Sequence, residues 1–162
     1  MVKSSLADLK KTMDDFINYL VSLMGNNNKY NPNIYESLPY QVRQPYEGED
    51  EYFKQNPNVG GMKTEDRRII LNPYSTLNQD QLNTVKNNEA IRLYLDDMQL
   101  TPYFNITEQQ KKYFENTPYN NNPQIKNTIA ARILTNDPSA GKYTDEQSNF
   151  ADYIYNLIKQ GK

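Results

Sequence analysis

The run Ile69-Ile70-Leu71, inside "RRIILNPYSTLNQDQL" from Arg67 to Leu82, is the one compact aliphatic stretch of a very polar chain. Whatever core this protein builds has to be organised around it. Pro73 pushes Asn72 out of helical geometry and stops the strand, so Arg68 to Leu71 reads as a short extended segment ended by the turn "NPYS". Behind the turn, Asn78 and Gln81 have the spacing of a capping box, flanked by Leu77 and Leu82 as a hydrophobic staple. The stretch therefore fixes how a helix enters the core.

That helix is expected from about Gln79 to Met98. On a helical wheel Leu82, Val85 and Leu93 form one apolar stripe, while Ile91, Tyr94, Leu95 and Met98 lie on roughly the opposite side. A helix apolar on two sides belongs in the centre of a fold. Glu89 falls on the Leu82 stripe, and a carboxylate aimed at a core has to be paired or suffer a desolvation cost of several kcal/mol. Arg132 is the first expected partner and Arg68 the second.

Two more boxes, Thr107 with Gln110 and Thr144 with Gln147, start further helices. Between them Pro123 opens a helix with Ile125, Ile129 and Ile133 on one face, and the last helix carries Phe150, Ala151, Ile154, Leu157 and Ile158. The expectation is a mainly α fold: four to five helices in a small domain over residues 63–162, with at most a short strand.

Two segments precede it. Leu6, Leu9, Met13, Phe16, Leu20 and Leu23 follow one another at alternating steps of three and four, the seam of a coiled coil or bundle helix, and Gly25 ends the pattern. Residues 1–25 are thus an amphipathic helix that either oligomerises or docks on its own domain. From 26 to 62 no period survives, and prolines at 32, 39, 45 and 57 forbid a long helix. Tyr30, Tyr35, Tyr40, Tyr46 and Tyr52 recur there as amphipathic anchors, so this stretch is expected to be an extended arm or long irregular loop that binds a partner, with a disordered linker as the alternative.

Composition narrows the chemistry. A hydrophobic content of 36% and a mean hydropathy of −0.94 leave a small core, or one completed by another chain. Net charge is −2 with no basic stripe, so a nucleic-acid partner is not expected. The absence of both Cys and His removes thiolate and imidazole catalysis and the nitrogen and sulfur ligands of zinc, haem and iron-sulfur sites. No metal or cofactor is expected. Asp8, Asp14 and Asp15 exclude a signal peptide or membrane span from the first helix, and a soluble protein without membrane partners is expected.

Two motifs fail on inspection. "DPSAGKYT" lacks the first glycine of a phosphate loop and has Tyr143 where a magnesium-holding hydroxyl belongs; "EGEDEYF" lacks the spacing and glycine of a calcium loop and reads as a solvated acidic patch. Carboxylate pairs drawn from Glu65, Asp66, Glu89, Asp96 and Asp97 are the remaining acid-base option, and no substrate-binding signature accompanies them. No catalytic residue is expected.

Taken in order, "RRIILNPYSTL", "NEAIRLYLDD", "TIAARILTNDPSA" and "YTDEQ" resemble a family of small bacteriophage proteins associated with phage structural gene neighbourhoods. The likeness covers Arg67 to about Asp152. It implies phage origin and a place in the virion or its assembly, with the virion and the host cytoplasm as locations and other virion proteins or further copies of the chain as partners. A virion protein of the capsid, head-to-tail junction or tail is the leading expectation. A small acidic inhibitor of a host protein is second, and a carboxylate-based wall hydrolase third.

Overall fold

The computed structural model describes residues 8–13, 16, 29–115 and 124–162. It is mainly helical, with α1 (Glu47–Gln55), α2 (Gln79–Asp97), α3 (Glu108–Phe114), α4 (Ile125–Leu134) and α5 (Asp145–Lys159). Three short strands, β1 (Val42–Arg43), β2 (Gly61–Lys63) and β3 (Ile69–Leu71), form one sheet in the order β1-β3-β2. Residues 8–13 are helical as well.

The aliphatic run is the central strand. β1 pairs with it in parallel, Val42 opposite Ile69, and β2 in antiparallel fashion, Met62 opposite Ile70. Pairing on both edges leaves Ile69 and Ile70 almost wholly buried, as a continuous apolar strand should be. The sheet is larger than the single strand expected, because two- and three-residue strands carry no alternation long enough to read. At Gly61 the packing tolerates no side chain: a Cβ would lie 2.7 Å from the Ile70 carbonyl oxygen and 3.0 Å from Val85 Cγ1.

α2 crosses the molecule between two cores. Ala90 and Leu93 pack on Ile69, while Ile91, Tyr94 and Leu95 join the larger cluster with Phe104, Ile129, Leu134 and Ile154. The two apolar stripes thus serve opposite sides, and Met98 at the end of one stripe is exposed. All three sequence-legible capping boxes form: Gln81, Gln110 and Gln147 N–H donate to the side chains of Asn78, Thr107 and Thr144 at 2.9, 3.1 and 3.0 Å. Pro123, expected to open α4, lies outside the described residues.

The structure corrects the arm. Residues 29–62 contain a 3₁₀ turn (Pro32–Ser37), β1, α1 and most of β2, and a boundary at 62/63 would fall inside β2. Tyr30 and Tyr35, 3% and 2% exposed, are members of the main core cluster. Their backbone has no period because each ring fills a hole made by distant elements rather than a face of its own.

Candidate assembly surface

The seam comes first. In the described part of the N-terminal helix Leu9, Met13 and Phe16 are 55%, 54% and 58% exposed. Leu6, Leu20 and Leu23 lie outside the described residues. An apolar stripe at heptad spacing ordinarily gains about 25 cal/mol per Å² by leaving water, and among the described residues none covers those three side chains.

Where the chain enters the domain it is pinned. Tyr30 N–H donates to Asn136 Oδ1 at 3.1 Å and its carbonyl accepts from Asn136 Nδ2 at 2.6 Å, so one side-chain amide satisfies both backbone groups. The Tyr30 hydroxyl donates to Asp152 at 2.8 Å, Lys29 Nζ lies 3.0 Å from the same carboxylate, and Asn31 N–H donates to the Tyr155 hydroxyl at 3.2 Å. Burial raises the Tyr30 phenol well above the usual range, with the Asp152 bond adding to it. Although burial opposes it, the donors Tyr30 and Lys29 hold Asp152 below the usual carboxylate range.

The five tyrosines divide. Tyr35 is locked by its hydroxyl to the Leu134 carbonyl, and Tyr40, half-buried, donates to Asp97 Oδ2 at 2.5 Å. Tyr46 and Tyr52 alone keep the exposure expected of anchors, 61% and 45%. Tyr46 is also a platform: the Arg43 guanidinium lies 3.8 Å from its ring centroid while binding both oxygens of Glu49 at 2.7 and 3.0 Å. This cluster escaped the sequence, where Glu49 counted as one charge of a solvated acidic patch. The basic residue six positions upstream was the signal that could have found it.

Glu89 is buried on α2, yet its partner is Arg92, 3.1 Å away on the same helix, and not Arg132. Arg132 instead places its guanidinium 5.5 Å from the Phe114 ring centroid. Arg68 lies beside Asp66 at 3.8 Å. The correction is physical: an i,i+3 pair forms within one helix and needs no tertiary alignment. Burial pushes the Glu89 carboxyl up, against the opposing pull of Arg92 and Lys63. Beside it Asp96 accepts from Lys63 Nζ and from Asn127 Nδ2, each at 2.6 Å, and Asn127 Oδ1 accepts from Thr101 at 2.5 Å. These groups tie β2, α2, the 101–103 turn and α4 together.

Two clefts open on the surface. One, of about 320 Å³, is bounded by Tyr35, Leu38, Tyr40, Val42, Ile69 and Ala90 with Lys86 at the rim; the other, of about 470 Å³, holds Arg43, Tyr46, Glu49 and Asp66. Glu89 lines neither of these two clefts. Among the described residues no group of three or more acidic side chains is arranged to hold a metal ion, and no helix is long and apolar enough to cross a membrane. Compared with protein-family models, with curated proteins and with solved structures, the chain matches none.

Proposed function

We propose that this chain is a structural protein of a bacteriophage virion, a component of the capsid, the head-to-tail junction or the tail that acts through contacts with neighbouring proteins. One observation carries the reading: from Lys29 onward Tyr30, Tyr35, Phe53 and the aliphatic residues of β3, α2 and α4 are buried within the domain, while the seam residues Leu9, Met13 and Phe16 are left in water. A domain that satisfies itself and presents a second apolar surface is built to attach to something. The resemblance of the segments between Arg67 and Asp152 to phage proteins supplies the setting, with other virion proteins or further copies as partners.

Mass spectrometry of purified virions of the phage that encodes the chain tests this directly. The protein should be present at stoichiometric level, and its absence would sink the reading. A specific feature favours one other. α1 bears Glu47, Asp50 and Glu51, and the exposed rings of Tyr52 and Tyr74 lie beside them, with the Tyr74 hydroxyl donating to Asp50 at 2.9 Å. Such an acidic and aromatic face suits a small inhibitor that docks on a basic host protein. A stoichiometric complex with a host protein early in infection, and no chain in virions, would select it.

A further inference from the structure

In the β2–β3 hairpin Asn72 N–H donates to the Gly60 carbonyl and Thr64 N–H to the Arg68 carbonyl, both at 2.9 Å. Antiparallel pairing alternates, so the backbone of Gly60, Met62 and Thr64 faces β3 while that of Gly61 and Lys63 points away from it. Ile69, opposite Lys63, gives its own N–H to the Gln41 carbonyl on the β1 side. The Lys63 N–H therefore stands on the outer edge of the sheet.

α2 closes that edge. Val85, Glu89, Arg92 and Asp96 succeed one another at steps of four, three and four, one face of a helix, and β2 meets them in order. The Val85 side chain lies against Gly60 and Gly61, Glu89 accepts the Lys63 N–H, and Asp96 takes the Lys63 ammonium at 2.6 Å. Lys63 is thus gripped twice, by backbone and by side chain, by two carboxylates of one helix. The Glu89 side chain is 8% exposed and that of Asp96 27%, so the first grip is buried and the second is open to water.

Arg92 supplies the counter-charge with a weak hold. A single nitrogen, Nη1, reaches both Glu89 oxygens at 3.1 and 3.4 Å, while Nε, also buried, has no partner among the described residues. Without a two-nitrogen fork, what keeps this guanidinium in a largely buried seat is the charge opposite it. The charged groups facing Glu89 are Arg92 on its own helix and Lys63 on β2. β3 brings Ile69 against Ala90 and Leu93 on the adjoining face, and α4 brings Asn127 to Asp96, none of them charged.

We propose that Glu89 is a proton-operated clamp between α2 and the edge of β2. Ionised, it seats the Arg92 guanidinium and holds the Lys63 N–H; protonated, it releases the guanidinium to solvent and slackens the β2 edge. A neutral carboxyl still accepts from Lys63, though without charge assistance, whereas a buried cation with no anion opposite has to leave for water, and the arginine stem is long enough to let it. Burial opposes the ionised form more strongly than Arg92 and Lys63 favour it, which sets the clamp to work above the usual carboxylate range. The release is local. Asp96 keeps the Lys63 ammonium throughout, and relieving a buried charge does not weaken the fold as a whole.

Nuclear magnetic resonance titration of the full chain from about pH 8 to about pH 4 reads every part of the clamp. The Glu89 carboxyl carbon reports the proton, the Lys63 amide its bond and the Arg92 Nε–H the guanidinium. The three should share one midpoint above the usual glutamate value of about 4.3, with the Lys63 amide proton moving upfield in acid and the Arg92 Nε–H losing its protection from solvent. The Ile154 and Ile158 amides of α5 should stay in place. In Glu89→Gln, which keeps the shape and removes the charge, the Lys63 shift should be flat and the Arg92 Nε–H open at every pH. A Lys63 amide or an Arg92 signal that stays still while the Glu89 carboxyl titrates would overturn the clamp, as would a transition that survives in Glu89→Gln. Movement of the α5 amides at the same midpoint would mark general unfolding and overturn it too. If Glu89→Gln does not fold, the wild type decides alone: a shared midpoint sustains the clamp and separate midpoints end it.

Discussion

The stretch from Lys29 to Met62 and the helix before it make opposite use of their large side chains. The first has no sequence period, yet Tyr30, Tyr35 and Phe53 are buried there, Phe53 completely. The second has a sustained heptad period, and its described seam residues are more than half exposed. Periodicity reports the shape of an element's apolar surface and not whether the same chain covers it. Burial without a period arises when single side chains plug holes between distant elements: the Tyr35 hydroxyl reaches the Leu134 carbonyl, and Tyr30 is held by Asn136 and Asp152.

Substitutions should widen that contrast. Tyr35→Ala is expected to cost the most, about 4 kcal/mol, the size of an aromatic truncation in a packed core, and denaturant melts would register it as a large fall in midpoint. A loose arm would lose nothing. Glu89→Ala follows at about 3 kcal/mol, because it strands the largely buried Arg92 guanidinium without its carboxylate. If Arg132 were the working partner of Glu89, Arg132→Met would cost as much as Arg92→Met; on the geometry found, Arg92→Met costs more.

Glu89 also imposes a pH dependence of definite sign. Its folded-state pKa is raised, so the folded protein binds this proton more readily than the unfolded chain, and the stability contributed is present at low pH and lost as pH climbs through the raised value. Asp152 works the other way, its lowered pKa giving stability that is lost as pH falls through the carboxylate range. Denaturant melts across about pH 2 to 8 should show Glu89→Gln losing less stability on the alkaline side than the wild type does, and Asp152→Asn losing less on the acidic side, below about pH 4.

Smaller effects probe the point where the chain enters the domain at Tyr30. Asn136→Ala removes two hydrogen bonds to the Tyr30 backbone and should cost roughly 1–2 kcal/mol by denaturant melt. Tyr52→Ala, at a position 45% exposed, should stay within about 0.5 kcal/mol. Phe16→Asp, at a position 58% exposed, belongs with it: the melting of the domain should be unmoved.

What the sequence disclosed was local. The boxes at Asn78, Thr107 and Thr144 are closed within four residues, so the helix starts could be read directly, and the two-sided wheel of α2 correctly placed it between two cores. β1 and β2 were hidden by their shortness. α1 was hidden because its nine residues bury one side chain, Phe53, beneath an acidic surface. The Glu89–Arg92 pair was legible in principle from its i,i+3 spacing, and the search for a partner on another helix passed over it. As for the candidate surface, the seam was visible as a pattern, but its exposure depends on what the remainder of the chain covers and could only come from the structure.

Amide hydrogen exchange on the chain tests the central contrast most directly. The account predicts that the amides of Leu38, Asn56 and Ile69, which donate to Tyr35, Phe53 and Gln41 carbonyls at 3.1, 3.1 and 3.0 Å, exchange slowly, as those of α2 and α4 do. Exchange at free-peptide rates throughout residues 29–62, with α2 and α4 protected, would contradict it and restore the arm.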